Sequence, residues 1–165
     1  MNPKTHPTRQ PHVALRPNET GSAPKPGRLQ RFLIMQAKDV MTQPVVSVSP
    51  RVTLRELEKL FEVHKFNGVP VVEKHHVIGM VTQFDFLKHL VFTSGSVFPH
   101  YDELMKHTVE QIMTRGVCTV HPDTPLTRVL QMMVDTRDKS LPVVDDKKRL
   151  GGMISRGDVV RAFRK

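Results

Sequence analysis

The sequence GMISRGD at residues 152–158 decides the fold, together with a similar stretch, GMVTQFD, at residues 79–85. Both contain a glycine, two apolar residues, a serine or threonine, two further residues and an aspartate. The apolar pair predicts the end of a buried strand, and a hydroxyl residue followed three positions later by a carboxylate is typical of a helix start. Each stretch therefore predicts a strand, a sharp turn and a helix.

The two stretches belong to an internal repeat. Residues 40–42 (VMT) recur as residues 112–114 (IMT), and residues 69–72 (VPVV) recur as residues 141–144 (LPVV), both at an offset of 72 residues. The offset becomes 73 at the glycine-led stretches because the second hairpin turn is predicted to be one residue longer. A repeat of this regularity predicts two similar structural units.

Both copies predict the same elements: a short strand, a helix, two apolar strands around a polar turn, and a closing helix. In the first copy Thr53 and Glu56 form a capping box, and in the second copy Asp123 or Thr124 caps a helix whose first residue is Pro125. We expect an α/β (α+β) fold of two β-α-β-β-α units, each too small to be stable alone, packed through their sheets. The predicted strands are residues 45–48, 69–72 and 77–81, then 117–120, 141–144 and 150–154; the closing helices are residues 84–92 and 157–163.

Composition divides the chain further. Residues 1–28 are basic, rich in proline and without an aromatic residue, which predicts a disordered tail. A helical pattern begins at Leu29 and should end before Pro44. We therefore assign residues 29–92 to the first repeat with a leading helix, residues 93–106 to a linker, and residues 107–165 to the second repeat.

The net charge of +9 is concentrated at the N-terminus. Residues 1–31 contain six basic residues and one acidic residue, a net charge of +5, which leaves +4 for the remainder. A basic tail can contact nucleic acid or an acidic membrane surface, but we favour a solvated tail because no basic-aromatic stripe follows it. No apolar run is long enough to span a bilayer, and a single cysteine suits a reducing compartment. We expect a soluble, cytoplasmic protein.

The chemistry-bearing residues do not indicate catalysis. The histidines lack metal-ligand spacing, so we expect no metal site. Cys118 lies on an apolar strand, where a small buried residue is expected rather than a nucleophile. Aspartates at helix starts without an adjacent base or nucleophile do not form a catalytic set. We therefore expect that the protein is not an enzyme and requires no cofactor.

The Met-Thr openings, the Val-Pro-Val-Val and Leu-Pro-Val-Val strands and the two Gly-led stretches together resemble a tandem pair of cystathionine-β-synthase (CBS) domains, the Bateman module. The resemblance begins near Asp39 and extends to the C-terminus. It implies two clefts, related by a pseudo-two-fold axis, for adenosine-containing ligands such as AMP, ADP or ATP. It further implies a regulatory sensor without catalysis, a homodimer, and a regulated protein of unknown identity.

The resemblance also implies roles for individual residues. Asp158 and Asp85 correspond to the family aspartate that accepts hydrogen bonds from ribose hydroxyls, and Ser155 and Thr82 to the hydroxyl residue that reaches ribose or phosphate. Arg156 has no charged counterpart, since Gln83 occupies the equivalent position, so the Asp158 cleft is expected to prefer phosphorylated ligands. The remaining candidate ligand-binding residues, which border the adenine or belong to the opening strands, are Gly68, Lys139, Ser140, Thr42 and Thr114.

A second interpretation uses the same residues without a ligand. A threonine or serine three positions before an aspartate is also an ordinary helix-capping pattern. If both carboxylates only cap their helices, the clefts are vestigial and the protein is a structural or dimerisation module. Both interpretations stand at the level of the sequence.

Overall fold

The computed structural model describes residues 26–92 and 101–164. We call these the first half and the second half. Most of the predicted tail, and residues 93–100 of the predicted linker, lie outside them. The elements of the first half are α1 (Pro26–Ile34), a 3-10 turn (Ala37–Asp39), α2 (Leu54–His64), β1 (Gly68–Glu73), β2 (His76–Thr82) and α3 (Gln83–Phe92).

The second half repeats this plan. Its elements are α4 (Tyr101–Leu104), α5 (Val109–Ile112), β3 (Thr114–Arg115), α6 (Leu126–Thr136), β4 (Ser140–Val144), β5 (Leu150–Ser155) and α7 (Arg156–Arg164). Each half thus contains the predicted helix, hairpin and closing helix, and the predicted fold class is confirmed. Helix α1 begins at Pro26, so residues 26–28, assigned to the tail, are helical.

Two local predictions are wrong. The opening strands at 45–48 and 117–120 are reduced to single parallel bridges, Val48 to Val71 and Val120 to Val143. Pro125 precedes α6 as its N-cap instead of occupying the first helical position. No side chain caps α6, and the hydroxyl of Thr124 accepts a hydrogen bond from the His121 amide at 3.0 Å.

The capping box of α2 is confirmed. The amide of Glu56 donates to Oγ1 of Thr53 at 3.3 Å, and the amide of Thr53 donates to Oε2 of Glu56 at 2.8 Å. The second bond, with that from the Thr53 hydroxyl, lowers the pKa of Glu56 because both donors favour the carboxylate. The first amides of a helix have no carbonyl partner within the helix. The capping box gives two amides at this end an acceptor, which favours a helix start at Leu54.

The two halves exchange the segments that precede their α2- and α6-type helices. We call residues 26–41 and 101–113 the leading segments. Phe32 and Ala37 of the first are buried with Leu126, Val129 and other residues of the second half. The core of the first half in turn contains Met105, Val109 and Met113 of the second leading segment. The leading helix that we assigned to the first repeat therefore completes the core of the second half.

Equivalent hydrogen bonds fix both exchanges. The amide of Ala37 donates to the carbonyl of Thr124 at 2.9 Å, and the amide of Val109, 72 residues after Ala37, donates to the carbonyl of Val52 at 2.8 Å. The pseudo-two-fold symmetry of the sequence repeat is thus present in the backbone contacts between the halves.

Each half also pairs a short extended segment with the hairpin of the other half. In the three-stranded sheet, β1 and β2 of the first half are followed by β3 of the second half, with Met80 opposite Thr114. Thr42 makes the equivalent bridge to Met153 beside β4 and β5. A Cβ at Gly79 would lie 2.7 Å from the carbonyl oxygen of Thr114. The glycine that opens the repeated motif is needed because the other half's backbone passes directly over it.

Met105 tests the exchange of leading segments. The sequence places it in a linker, but its side chain is only 1% exposed, in the core of the first half. We expect Met105→Ala to lower the free energy of unfolding by about 2–5 kcal/mol through the cavity left behind. Chemical denaturation measures this change. Lys106→Ala, on the exposed neighbour, is the control, and similar small effects for both variants would contradict the packing described.

The contact between α3 and the second leading segment should be sensitive to pH. Nε2 of His89 lies 2.8 Å from Nδ1 of His107. Burial, and secondarily the proximity of His107, lowers the pKa of His89 from its ordinary value of 6.5. The unfolded chain therefore binds more protons below about pH 6.5, and stability should fall as the pH decreases through that range.

Melting temperatures measured between pH 8 and pH 5 test this expectation. His107→Gln should reduce the loss on acidification because it removes the neighbouring positive charge. His64→Gln, at the exposed end of α2, should leave the pH profile unchanged. An unaltered profile for His107→Gln would exclude a contribution from His107 and leave burial of His89 as the cause, whereas no fall in Tm between pH 8 and pH 5 would contradict the expectation itself.

Candidate functional site

The described residues form three clefts that both halves line, and two of these contain the predicted aspartates. The first cleft, which contains Asp85, has a volume of about 690 Å³, and the second cleft, which contains Asp158, has a volume of about 310 Å³. Each is walled by both halves, because the opening segment of one half lies against the hairpin of the other. The exchange of strands is therefore what creates both clefts.

Nine of the ten predicted site residues line these clefts. Each cleft contains one of the two aspartates together with the hydroxyl residue that precedes it by three positions. Three of the predicted residues border both clefts, so the clefts share a wall. The first cleft contains Gly68, Thr82, Asp85, Thr114, Lys139 and Ser140, and the second contains Thr42, Gly68, Lys139, Ser140, Ser155 and Asp158.

Asp85 caps its own helix with one oxygen. Its Oδ2 accepts from the amide of Thr82 at 2.9 Å and from the Thr82 hydroxyl at 2.6 Å, while its own amide donates to Oγ1 of Thr82 at 3.1 Å. Its Oδ1 has no hydrogen-bond partner within the described ranges. The carboxylate, half-buried beside the first cleft, therefore retains one oxygen that can accept hydrogen bonds from another molecule.

Asp158 uses both of its oxygens. Oδ2 accepts from the amide of Ser155 at 2.7 Å and from the Ser155 hydroxyl at 2.6 Å, as in the first half. Oδ1 accepts from Nη2 of Arg161, one turn further along α7. Asp158 is the one buried charged side chain of the described residues, 7% exposed. Its carboxylate is thus largely committed to contacts inside the protein.

Arg156 is the one predicted site residue that lines neither of these two clefts among the described residues. Its guanidinium donates from Nε to the carbonyl of Asp138 at 2.9 Å and from Nη2 to the carbonyl of Arg137. Gln83, at the equivalent position, donates in the same way to the carbonyl of Phe66 at 2.8 Å. Both side chains hold the segment that follows the α2- or α6-type helix against the closing helix.

Sequence reasoning missed several cations of the clefts. Arg161 and Lys65 line the second cleft, and Arg137 lines the first. The spacing of Asp158 and Arg161, three positions apart on a predicted helix, was a usable signal because such residues share a face. The cleft positions of Lys65 and Arg137 were harder to foresee, since each ends a helix as a left-handed residue outside the repeated motifs.

The remaining candidates are the single cysteine and the groups considered for metal binding. Cys118 is half-buried, packs against the core of the second half and also borders the first cleft. Residues 26–92 and 101–164 contain no group of three or more His, Cys, Asp or Glu side chains arranged for a metal ion. None of the helices in these ranges has the length and apolar character to cross a bilayer.

The sequence matches the CBS domain family at residues 37–92 and 109–165. The chain belongs to the CBS-domain family. The two matched regions correspond to the two halves, so the chain contains a tandem CBS pair. In each matched region the Gly-led stretch supplies the end of the hairpin and the start of the closing helix.

Solved CBS pairs have the same fold. The CBS domain pair of protein MJ0100, in complex with 5'-methylthioadenosine and S-adenosyl-L-methionine, is 30% identical, with a TM-score of 0.68 over 79% of this chain and 97% of that chain. CBSX2 of Arabidopsis thaliana, in complex with AMP, is 27% identical, with a TM-score of 0.67 over 77% of this chain and 94% of that chain.

Curated relatives include larger proteins. L-aspartate semialdehyde sulfurtransferase of Methanocaldococcus jannaschii is 30% identical over 79% of this chain, and the match spans only 23% of that protein. Uncharacterized protein MJ1426 of the same organism is 29% identical over 79% of this chain and 92% of its own length. The CBS pair thus resembles both a part of an enzyme and a protein of similar size.

The two capping aspartates should differ in their contribution to stability. Without ligand, Asp158→Ala should lower the free energy of unfolding by about 1–3 kcal/mol, because it leaves Ser155 and Arg161 without their acceptor. Asp85→Ala, the matched variant in the first half, should cost less because Asp85 is only half-buried, whereas Asp158 is buried, and because Oδ1 of Asp85 has no partner to lose. Equal losses in urea denaturation would contradict this difference.

Proposed function

We propose that this CBS pair is a regulatory module that binds an adenine nucleotide of the AMP, ADP or ATP type between its halves and catalyses no reaction. The observation that carries the proposal is that each cleft is walled by both halves. A ligand in either cleft therefore contacts both halves at once and stabilises one arrangement of them. Regulation then follows from its different affinities for two arrangements or for two partner-bound states.

The residues of the first cleft have the chemistry that an adenosine requires. Oδ1 of Asp85 has two lone pairs and can accept hydrogen bonds from the hydroxyls of a ribose. The shared wall at Gly68 and Ser140 presents small side chains, so a flat base can approach the backbone. The complexes of MJ0100 and CBSX2 contain adenosine derivatives, which supports the same ligand class here.

The proposal includes a partner and a location. We propose that the module works as a homodimer in the cytoplasm and acts on another protein, because ligand binding without catalysis needs a recipient for the signal. Membrane insertion and nucleic-acid binding are not part of the proposal. Catalysis is left out because the two motif aspartates are engaged with Thr82 and Ser155 at the starts of α3 and α7 and are not paired with a nucleophile among the described residues.

A second candidate function is a structural or dimerisation module with unused clefts. One observation favours it: Oδ2 of both aspartates is occupied by the start of its own helix, and Arg161 occupies Oδ1 of Asp158 as well. In this case the motif residues serve stability alone. The two candidates differ in a property that is easy to measure, the response to adenosine ligands.

Thermal unfolding with AMP, ADP and ATP tests the proposed function. At about ten times its Kd, a ligand specific for the folded state should raise the Tm by about 3–6 °C. Ser140→Leu should abolish the rise because residue 140 borders both clefts, whereas Ser140→Ala should retain it. No rise with any of the three nucleotides at millimolar concentration would favour the structural module.

A further inference from the structure

The two clefts differ in the charge of their linings. Lys139 borders both, so it does not distinguish them. The second cleft adds two cations and one anion to Lys139, while the first adds one cation and two anions, giving net charges of +2 and 0. The distinguishing residues are Lys65, Arg161 and Asp158 in the second cleft, and Arg137, Asp85 and Asp138 in the first.

Besides the lining cations Lys65, Arg137 and Lys139, the clefts differ in what the motif aspartate of each leaves available for hydrogen bonds. In the first cleft it is an acceptor, Oδ1 of Asp85. In the second cleft both oxygens of Asp158 are used, and the available group is the donor that pairs with it. The hydrogen bonds of the described residues use only Nη2 of Arg161, whose side chain is 66% exposed. A guanidinium has five N–H donors and can pair with a second anion while it holds the first.

The sequence explains why the first cleft lacks this donor group. The residue equivalent to Arg161 is Lys88, which is exposed and lies outside the described lining of the first cleft. Position 157 at the start of α7 is a glycine, and Nη1 of Arg161 lies only 3.4 Å from where its Cβ would be. Phe84 stands at the equivalent position of the first half. A Cβ at position 157 would only touch the guanidinium of Arg161, so the missing side chain is a difference between the two closing helices and not a requirement for the Arg161 position.

We propose that the second cleft selects phosphorylated ligands, that the first cleft accepts the uncharged nucleoside, and that Arg161 is the residue that makes this distinction. The inference rests on the proposed function, since it concerns ligands of the same clefts. A phosphate near Arg161 meets a net positive lining and a guanidinium that can bind two of its oxygens. The same phosphate in the first cleft meets two carboxylates, which disfavour it.

The alternative is that the Asp158–Arg161 pair has no role beyond the helix. Ion pairs between residues three positions apart on a helix surface contribute little to stability. In that case, replacing Arg161 would change the binding of AMP and of adenosine equally or not at all. The experiment must therefore compare two ligands that differ only in the phosphate, and it must observe the clefts separately.

Methionine methyl groups provide a separate signal for each cleft, because Met80 borders the first and Met153 borders the second. NMR spectra of the 13C-methyl-methionine protein would follow titrations with AMP and with adenosine, the two signals being assigned with Met80→Leu and Met153→Leu. AMP should shift the Met153 signal at the lower concentration. Adenosine should shift the Met80 signal first.

Arg161→Gln should weaken AMP binding at Met153 about tenfold or more, because a charge-assisted hydrogen bond is lost, and should leave adenosine binding within about twofold. Arg161→Lys keeps the positive charge and should restore part of the affinity for AMP. Lys88→Gln, the same loss of charge at the equivalent position of the first half, should change neither ligand.

The outcomes separate this inference from the proposed function. Equal losses of AMP and adenosine affinity in Arg161→Gln, or a response of the Met80 signal to AMP before that of Met153, would overturn the inference while the proposed function stands. If neither AMP nor adenosine shifts either signal at millimolar concentration, the proposed function and this inference both fail.

Discussion

The structure depends on the backbone hydrogen bonds by which each half binds the leading segment of the other. The amides of Ala37 and Val109 donate to carbonyls of the opposite half at equivalent positions. These bonds bring Phe32 and Met105 into cores that would otherwise be open to water. A unit of about 60 residues buries little apolar surface and is only marginally stable alone. The exchange of leading segments joins two such units into one structure.

The clefts are a consequence of the same exchange. Because β3 of the second half continues the sheet of the first, Thr114 lies directly beside the Gly-led stretch, and Thr42 does the same in the other half. Each cleft therefore has walls from both halves. This geometry makes the clefts suitable for regulation, because any occupant contacts both sides of the interface on which the fold depends.

Under the proposed function, the carboxylate of Asp85 serves folding with Oδ2 and recognition with Oδ1. Oδ2 of Asp85 and Oδ2 of Asp158 fix the starts of α3 and α7, so both carboxylates are held in place before any ligand is present. The two interpretations of the sequence, cap or ligand-binding group, are therefore compatible in the first half, where Oδ1 remains available. In the second half Arg161 takes that oxygen, and the pseudo-symmetry of the backbone is broken by a side chain.

The sequence by itself determined the elements and their order. The repeat offset can be read from the sequence directly. The hairpins and the capping box of Thr53 and Glu56 depend on contacts between residues close in the chain, which local patterns encode. It also indicated nine residues that line the clefts, through their resemblance to a known family. It failed at Pro125 and at the opening strands, whose single bridges depend on neighbours distant in sequence.

Only the tertiary structure decided how the halves combine. Nothing in a local pattern states that α1 packs on the second half, that Met105 is a core residue, or that Gly79 meets the carbonyl of Thr114. The destinations of Arg156 and Arg161 were undetermined for the same reason: a long side chain binds whichever acceptors the folded backbone brings within its reach. Periodicity and spacing specify elements, whereas contacts between distant segments specify the site.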